Sequence, residues 1–161
     1  MIICGCGGVG FTMIRYYKKQ EKTLQDLCHS LEWMILELDY HMPALPAVCR
    51  GAANISTGCI SKVFLCLADE LDRQITPDAH TCMMVAISRV SDIPERTIVH
   101  LKDLGTSIGK FDLQGQIVGL KTILTMCKGE LQVMKKGSEV RLRNYQTLGL
   151  CAGAALVILL L

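Results

Sequence analysis

Two long stripes of apolar residues with helical spacing run along the chain, one in each half. In the first, the positions are separated alternately by three and four residues: Leu24, Leu27, Leu31, Met34, Leu38 and His41. In the second, the same alternation recurs at Leu113, Ile117, Leu120, Leu124, Cys127, Leu131 and Met134. Such a heptad pattern is typical of long helices that pair along a seam. We therefore predict that these two helices form an antiparallel hairpin.

Four shorter helices are predicted between the stripes. Pro43 and Pro46 end the first long helix and open the second helix, near residues 44–53. The remaining starts and breaks predict helices at about 61–73, from Thr76-Pro-Asp78 to about 90, and from Asp92 with Pro94 to about 108. No segment alternates with a period of two residues, so no strand is expected. The predicted fold is all-α, a six-helix bundle built on the long hairpin, with helices two to five packed around it.

Both ends of the chain are apolar. The run Tyr145–Leu161 has no charged residue and is about as long as the shortest helices that span a bilayer. The run Met1–Ile14 is also uncharged but shorter. Gly149 and Gly153 form a G-x-x-x-G pair, which lets another helix approach closely in lipid. We expect an N-terminal membrane segment at 1–17, a cytoplasmic helical bundle at 18–144 and a C-terminal membrane helix at 145–161.

Basic residues flank the inner edges of the two apolar runs. Four follow the first run and four precede the second: Arg15, Lys18, Lys19, Lys22, Lys135, Lys136, Arg141 and Arg143. Because basic residues favour the cytoplasmic side, this placement predicts a cytoplasmic bundle with both termini across the membrane. A soluble regulator that uses the tail as a core helix is the alternative. The net charge of +2 is too small to predict binding to nucleic acid.

A glycine motif at the N-terminus suggests a second, enzymatic interpretation. Gly5, Gly7 and Gly10 match G-x-G-x-x-G, and Asp39 would then be the acid that binds a ribose. Asp39, however, follows the last glycine by about 29 residues rather than ~20. The helical period at 24–38 also leaves no place for the second strand. A dinucleotide-binding enzyme is therefore disfavoured, and no cofactor is predicted.

Other candidate chemistry in the sequence has a structural explanation. The nine cysteines show no C-x-x-C spacing, and Cys28, Cys66 and Cys127 fall at apolar helical positions. Glu37 and His41, one turn apart, could bind a metal but are better explained as a surface pair. The carboxylates of Asp69, Glu70 and Asp72 are interpreted as a solvated face, and His29, His80 and His100 need no chemical role. We predict no catalytic residue, no metal site and no enzymatic activity.

A glycine-rich connection precedes the last helix. Gly109 can take the left-handed end of one helix, and Asp112 can cap the next. Gly115, in the first turn of that next helix, suggests a close backbone contact. Together with their neighbours, these residues resemble the most recognisable motif of the stage III sporulation protein AB family: Leu104, Gly105, Gly109, Asp112, Gly115 and Gln116. The stretch Leu31–Pro46 and the ending from Tyr145 to the apolar tail are also similar to that family.

The resemblance implies a membrane hairpin whose cytoplasmic bundle is similar to a domain of the type II secretion platform protein F. It implies a non-catalytic scaffold on the mother-cell side, in the outer forespore membrane, within the channel complex that joins the mother cell to the forespore. The implied partners are other proteins of that complex, including its cytoplasmic ATPase, with a homo-oligomer as a further option. The first apolar run is short for the family, which suggests that the natural start lies upstream. Cys82-Met83 also stand where the family often has a tryptophan.

Overall fold

In the computed structural model, the described residues form six helices and no strand. The helices are α1 (Ile3–Tyr40), α2 (Leu45–Ile55), α3 (Gly58–Arg73), α4 (Ala79–Arg89), α5 (Glu95–Ser107) and α6 (Leu113–Leu160). The structure describes the backbone of residues 3–73, 78–108 and 113–160, and the side chains of residues 15–73, 78–108 and 113–137. The all-α prediction with six helices is confirmed for this part of the chain. Gly5, Gly7 and Gly10 lie within helix α1. A dinucleotide-binding motif instead requires a strand that leads into its glycines.

Local chemistry explains where the helices begin and end. Pro46 lies in the first turn of α2, a position that needs no amide hydrogen. Asp78 caps α4 by accepting a hydrogen bond from the backbone N–H of His80, at 3.3 Å. Gly58 opens α3 with a φ of 62°, a conformation that glycine adopts without steric cost. This turn lets α3 start at residue 58, three residues before its predicted start near residue 61.

The two apolar stripes line the centre of the fold, where α1 packs against α6. In the α1 stripe, five positions are buried: Leu24, Leu27, Leu31, Met34 and Leu38. In the α6 stripe, Ile117, Leu120 and Cys127 are buried, and Leu113, Leu124, Leu131 and Met134 pack against the core from half-buried positions. The stripe prediction is wrong at His41, whose side chain is 71% exposed because α1 ends at Tyr40.

Three of the four short helices, α2, α3 and α5, form a second layer around this centre. Helices α2 and α3 pack against each other and against α1, and α5 packs against both α1 and α6. Helix α4 lies outside this arrangement, because among the described residues it contacts only α3 and α5. The expectation that all four short helices surround the hairpin is therefore wrong for α4. Its buried side includes two small residues, Ala79 and Ala86, with Cys82 and Met83 between them.

Within the described part of the chain, no helix is both long enough and apolar enough to cross a membrane. The predicted membrane runs, Met1–Ile14 and Tyr145–Leu161, lie outside the residues whose side chains are described. Gly149 and Gly153 belong to the second of these runs.

Candidate functional site

Helix α5 joins the two layers, and it carries the first part of the glycine motif. Leu104 and Gly105 are both buried, and Gly105 lies on the side of α5 that meets α4. A Cβ atom added to Gly105 would lie 2.7 Å from Cβ of Met83 and 3.3 Å from Cα of His80. Real Cβ atoms do not approach so closely, and the Cβ of Met83 cannot move without its helix. Glycine at position 105 therefore sets the spacing between α4 and α5.

The other motif residues lie near the start of α6. Gly109 and Asp112 are outside the described residues, so their expected roles as helix end and cap stay predictions. Gly115 and Gln116 are half-buried in the first turn of α6. One turn later, a Cβ on Gly119 would lie 3.0 Å from Cβ of Ser107, the last residue of α5. A close contact at Gly119 was not predicted from the sequence. The spacing of four residues from Gly115 could have indicated it, because residues four apart lie on the same side of a helix.

A polar cluster links the first half of α5 to α6. His100 is buried, and its Nε2 lies 2.7 Å from Oε2 of Glu130. Arg96 donates to the other carboxylate oxygen of Glu130, at 2.9 Å. The Nδ1 atom of His100 is buried and has no hydrogen-bond partner among the described residues. Through its contact with Glu130, His100 links α5 to α6. This link was not predicted from the sequence, because Glu130 is 30 residues away.

The charge state of Glu130 depends on this cluster. Burial opposes ionisation of the carboxyl, but the hydrogen bonds from His100 and Arg96 and the charges of both groups outweigh it. The pKa of Glu130 is therefore lowered from its ordinary value of about 4.5. A carboxylate with a depressed pKa stabilises the fold above its ordinary pKa and loses that contribution as the pH falls through the lowered value.

We expect Glu130→Gln to destabilise the fold by about 1–2 kcal/mol at pH 7, because the charge-assisted hydrogen bonds to His100 and Arg96 are lost. The difference from the parent should shrink below about pH 4.5, as Glu130 becomes protonated in the parent. Urea unfolding followed by fluorescence of Trp33, the sole tryptophan, measures both effects between pH 7 and pH 3. Asp39→Asn, at an exposed position of α1, is the control and should change little. A loss that stays constant across this range would contradict the assignment.

A buried carboxylate on α3 corrects the interpretation of that helix surface as a solvated face. Asp69 and Asp72 are exposed and pair with Arg50 of α2. The side chain of Glu70 is only 11% exposed, and its Oε1 accepts hydrogen bonds from Arg73 and from Arg89 of α4. Glu70 therefore helps to hold α4 on α3, and the prediction of a solvated face is wrong at this residue.

The described cysteines are free thiols within the helices. Cys28 of α1 and Cys127 of α6 are both buried and are neighbours across the central seam. The neighbouring Cys28 thiol and burial both raise the pKa of the Cys127 thiol. Burial also raises the pKa of Cys49, to about 12. The prediction that Cys28 and Cys127 occupy apolar core positions is confirmed, whereas Cys66 is half-buried.

The remaining candidate sites are polar surfaces. Glu37 and His41 form an exposed pair at 3.4 Å, and among the described residues no three potential ligands come together to hold a metal ion.

A groove of about 360 Å³ separates α1 from the connection between α4 and α5. It is lined by Tyr16, Lys19, Gln20, Asp92, Ile93, Pro94 and Glu95. Lys19 and Asp92 form an ion pair across it, at 3.8 Å.

Comparison with known proteins gives one family and one related structure. The model of the family described as stage III sporulation protein AB matches residues 1–161. A solved structure of a stage III sporulation protein AB superposes with a TM-score of 0.66 at 18% identity, covering 76% of this chain and 98% of the other. At that identity, the likeness is one of fold. No curated protein matches the sequence.

Proposed function

The chain belongs to the stage III sporulation protein AB family, and on that premise we propose that it is a membrane-anchored scaffold of the channel complex between mother cell and forespore. The helical bundle would lie in the mother-cell cytoplasm, below the outer forespore membrane. Its partners would be other proteins of the complex, including the cytoplasmic ATPase, and further copies of the chain itself. We propose no catalytic role and no cofactor.

The observation that carries this proposal is the continuity of the two long helices with the apolar ends. Helix α6 extends to Leu160, so residues 145–160 of the apolar tail measure about 24 Å at ~1.5 Å per residue, at the short end of what spans the ~30 Å of a hydrocarbon core. Residues 3–14 of α1 measure about 18 Å on the same basis, so the N-terminal arm is the weaker one. The basic flanks support a cytoplasmic bundle.

Contacts among the described residues support an antiparallel hairpin as the base of this scaffold. Ser107, at the end of α5, lies against Gly119 near the start of α6, whereas Arg96, near the start of α5, binds Glu130. The start of α5 also lies near the early part of α1, through Lys19 and Asp92. The beginning of α1 and the end of α6 would then lie at the same end of the bundle. Two membrane arms could emerge together from that end.

Deleting residues 145–161 tests the anchor. We expect the shortened chain to move from the membrane fraction to the soluble fraction of sporulating cells, because the uncharged, mostly apolar tail is lost. The matched control is the double variant Gly149→Leu with Gly153→Leu, which keeps the tail apolar. It should stay with the membrane while cross-linking less to neighbouring membrane helices, since its small packing surface is gone.

Two results would contradict the anchored scaffold. The first is a full-length chain found in the soluble fraction. The second is a deletion that unfolds an already soluble protein, which would identify the tail as a core helix of a soluble regulator. Unchanged cross-linking of the double glycine variant would refute only the packing role of Gly149 and Gly153.

A further inference from the structure

The side of α6 that faces away from the core is also apolar. Val118, Met126 and Val133 are 62%, 51% and 69% exposed. Thr122, Thr125 and Gly129 lie among them at exposed positions, and at 3.6 residues per turn all six residues fall within about 100° on one side of the helix. We call these six residues the outer stripe; it is about 22 Å long at ~1.5 Å per residue. A helix that is apolar on two sides is normally covered on both.

The polar atoms within the outer stripe are already satisfied. The hydroxyl of Thr122 donates to the backbone carbonyl of Val118 at 2.9 Å. The hydroxyl of Thr125 donates to the carbonyl of Lys121 at 2.8 Å. Another surface could therefore exclude water from the stripe without leaving a hydroxyl donor unpaired.

Gly129 lies within the stripe, and no contact among the described residues explains it. A Cβ atom at this position would meet none of their atoms within 4 Å, in contrast to Gly105. Glycine inside a helix costs about 1 kcal/mol relative to alanine. A bare stretch of backbone at an exposed apolar position allows a second helix to approach closely.

The charges beside the outer stripe restrict what can cover it. Lys121, Lys128 and Lys135 follow one edge at intervals of seven residues. Lys128 pairs with Glu32 of α1 at 2.6 Å, whereas Lys121 and Lys135 have no ion pair within the described part of the chain. The sole acidic residue between positions 113 and 137 is Glu130, which faces α5. A second copy of α6 on this side would therefore set lysines against lysines.

We propose that the outer stripe docks an α-helix of a partner protein, and that this helix has a seam of small apolar residues flanked by acidic residues at seven-residue spacing. Apolar contact would supply the binding energy, and the lysine row would set the register and favour acidic over basic helices. The proposal rests on the scaffold function above and specifies one class of partner for it.

Two synthetic helical peptides of about four heptads test the proposal. They share an alanine and leucine seam and differ only in having glutamate or lysine at the flanking positions. With the full-length chain in lipid nanodiscs, fluorescence anisotropy should give a Kd at least about tenfold lower for the glutamate peptide. Lys121→Glu with Lys135→Glu should reverse this preference. Val133→Glu, and separately Gly129→Leu, should weaken binding of the glutamate peptide by about tenfold or more.

Val99→Glu is the matched control, because Val99 is a similarly exposed valine on α5, outside the stripe. It should leave the affinity unchanged. The proposal is wrong if neither peptide binds, if both bind equally, or if Val99→Glu weakens binding as much as Val133→Glu. It is also wrong if the chain is a dimer in analytical ultracentrifugation and Val133→Glu separates it, since a second copy would then occupy the stripe. If the chain distinguishes the two peptides but does not fractionate with membranes, the membrane anchor is refuted and the docking of an acidic helix on the outer stripe is still supported.

Discussion

Phe64→Ala is expected to lower the free energy of unfolding by about 3–5 kcal/mol, which is a large part of the ~5–15 kcal/mol typical of a domain. Phe64, on α3, is fully buried and is the bulkiest of the completely buried side chains among those described. Its removal costs the transfer free energy of the ring and leaves a cavity among packed neighbours that can close only in part. Urea unfolding monitored by Trp33 fluorescence measures the loss.

Leu65→Ala is the control for Phe64→Ala, because Leu65 is the next residue of the same helix and is 44% exposed. The leucine substitution should cost well under half as much, since much of its side chain already contacts water. Equal losses for the two variants would contradict the placement of Phe64 in the core.

The second large effect is expected at Gly105. Replacement by alanine should destabilise the fold by about 1–2 kcal/mol, even though alanine is the better helix former by about 1 kcal/mol. Replacement by leucine should cost about 3 kcal/mol or more, because α4 must then move away from α5. Both losses are expected because a Cβ atom at position 105 would lie 2.7 Å from Cβ of Met83. The graded series is measured by urea unfolding at pH 7.

Gly129→Ala is the matched control for Gly105→Ala. Both glycines lie in helices, but only Gly129 has open space around a new Cβ atom. Its replacement by alanine should stabilise the chain by up to about 1 kcal/mol. Opposite signs at the two glycines separate close packing from helix propensity, and a stabilising Gly105→Ala would refute the contact with α4.

The helices and the central seam were predictable because they depend on local spacing. The alternation of three and four residues placed Leu24, Leu31 and Leu120 in the core, and proline and Asp78 set two helix boundaries. His41 was misplaced because the apolar period continues one step beyond the end of the helix, where the chain is already turning towards Pro43.

The polar contacts between helices could not be predicted in this way. The partner of Glu70 on α4 lies 19 residues away, and the partner of His100 lies 30 residues away. No periodic pattern connects such residues, so both were assigned ordinary surface or helical roles. Gly105 was singled out only through the family resemblance, since its contact with Met83 depends on how α4 and α5 cross. The outer position of α4 likewise follows from tertiary packing alone.

The pairing of α1 with α6 has a consequence for the order of events during synthesis. Cys28 and Cys127, which meet across the seam, are separated by about 100 residues of sequence. At ~5–20 residues per second, the ribosome needs about 5–20 s to produce the second after the first. During that interval the α1 stripe lacks its cover by α6, and α2, α3 and then α5 are the described helices made early enough to shield part of it. The nascent chain must therefore stay protected from aggregation until the last third of the protein has been made.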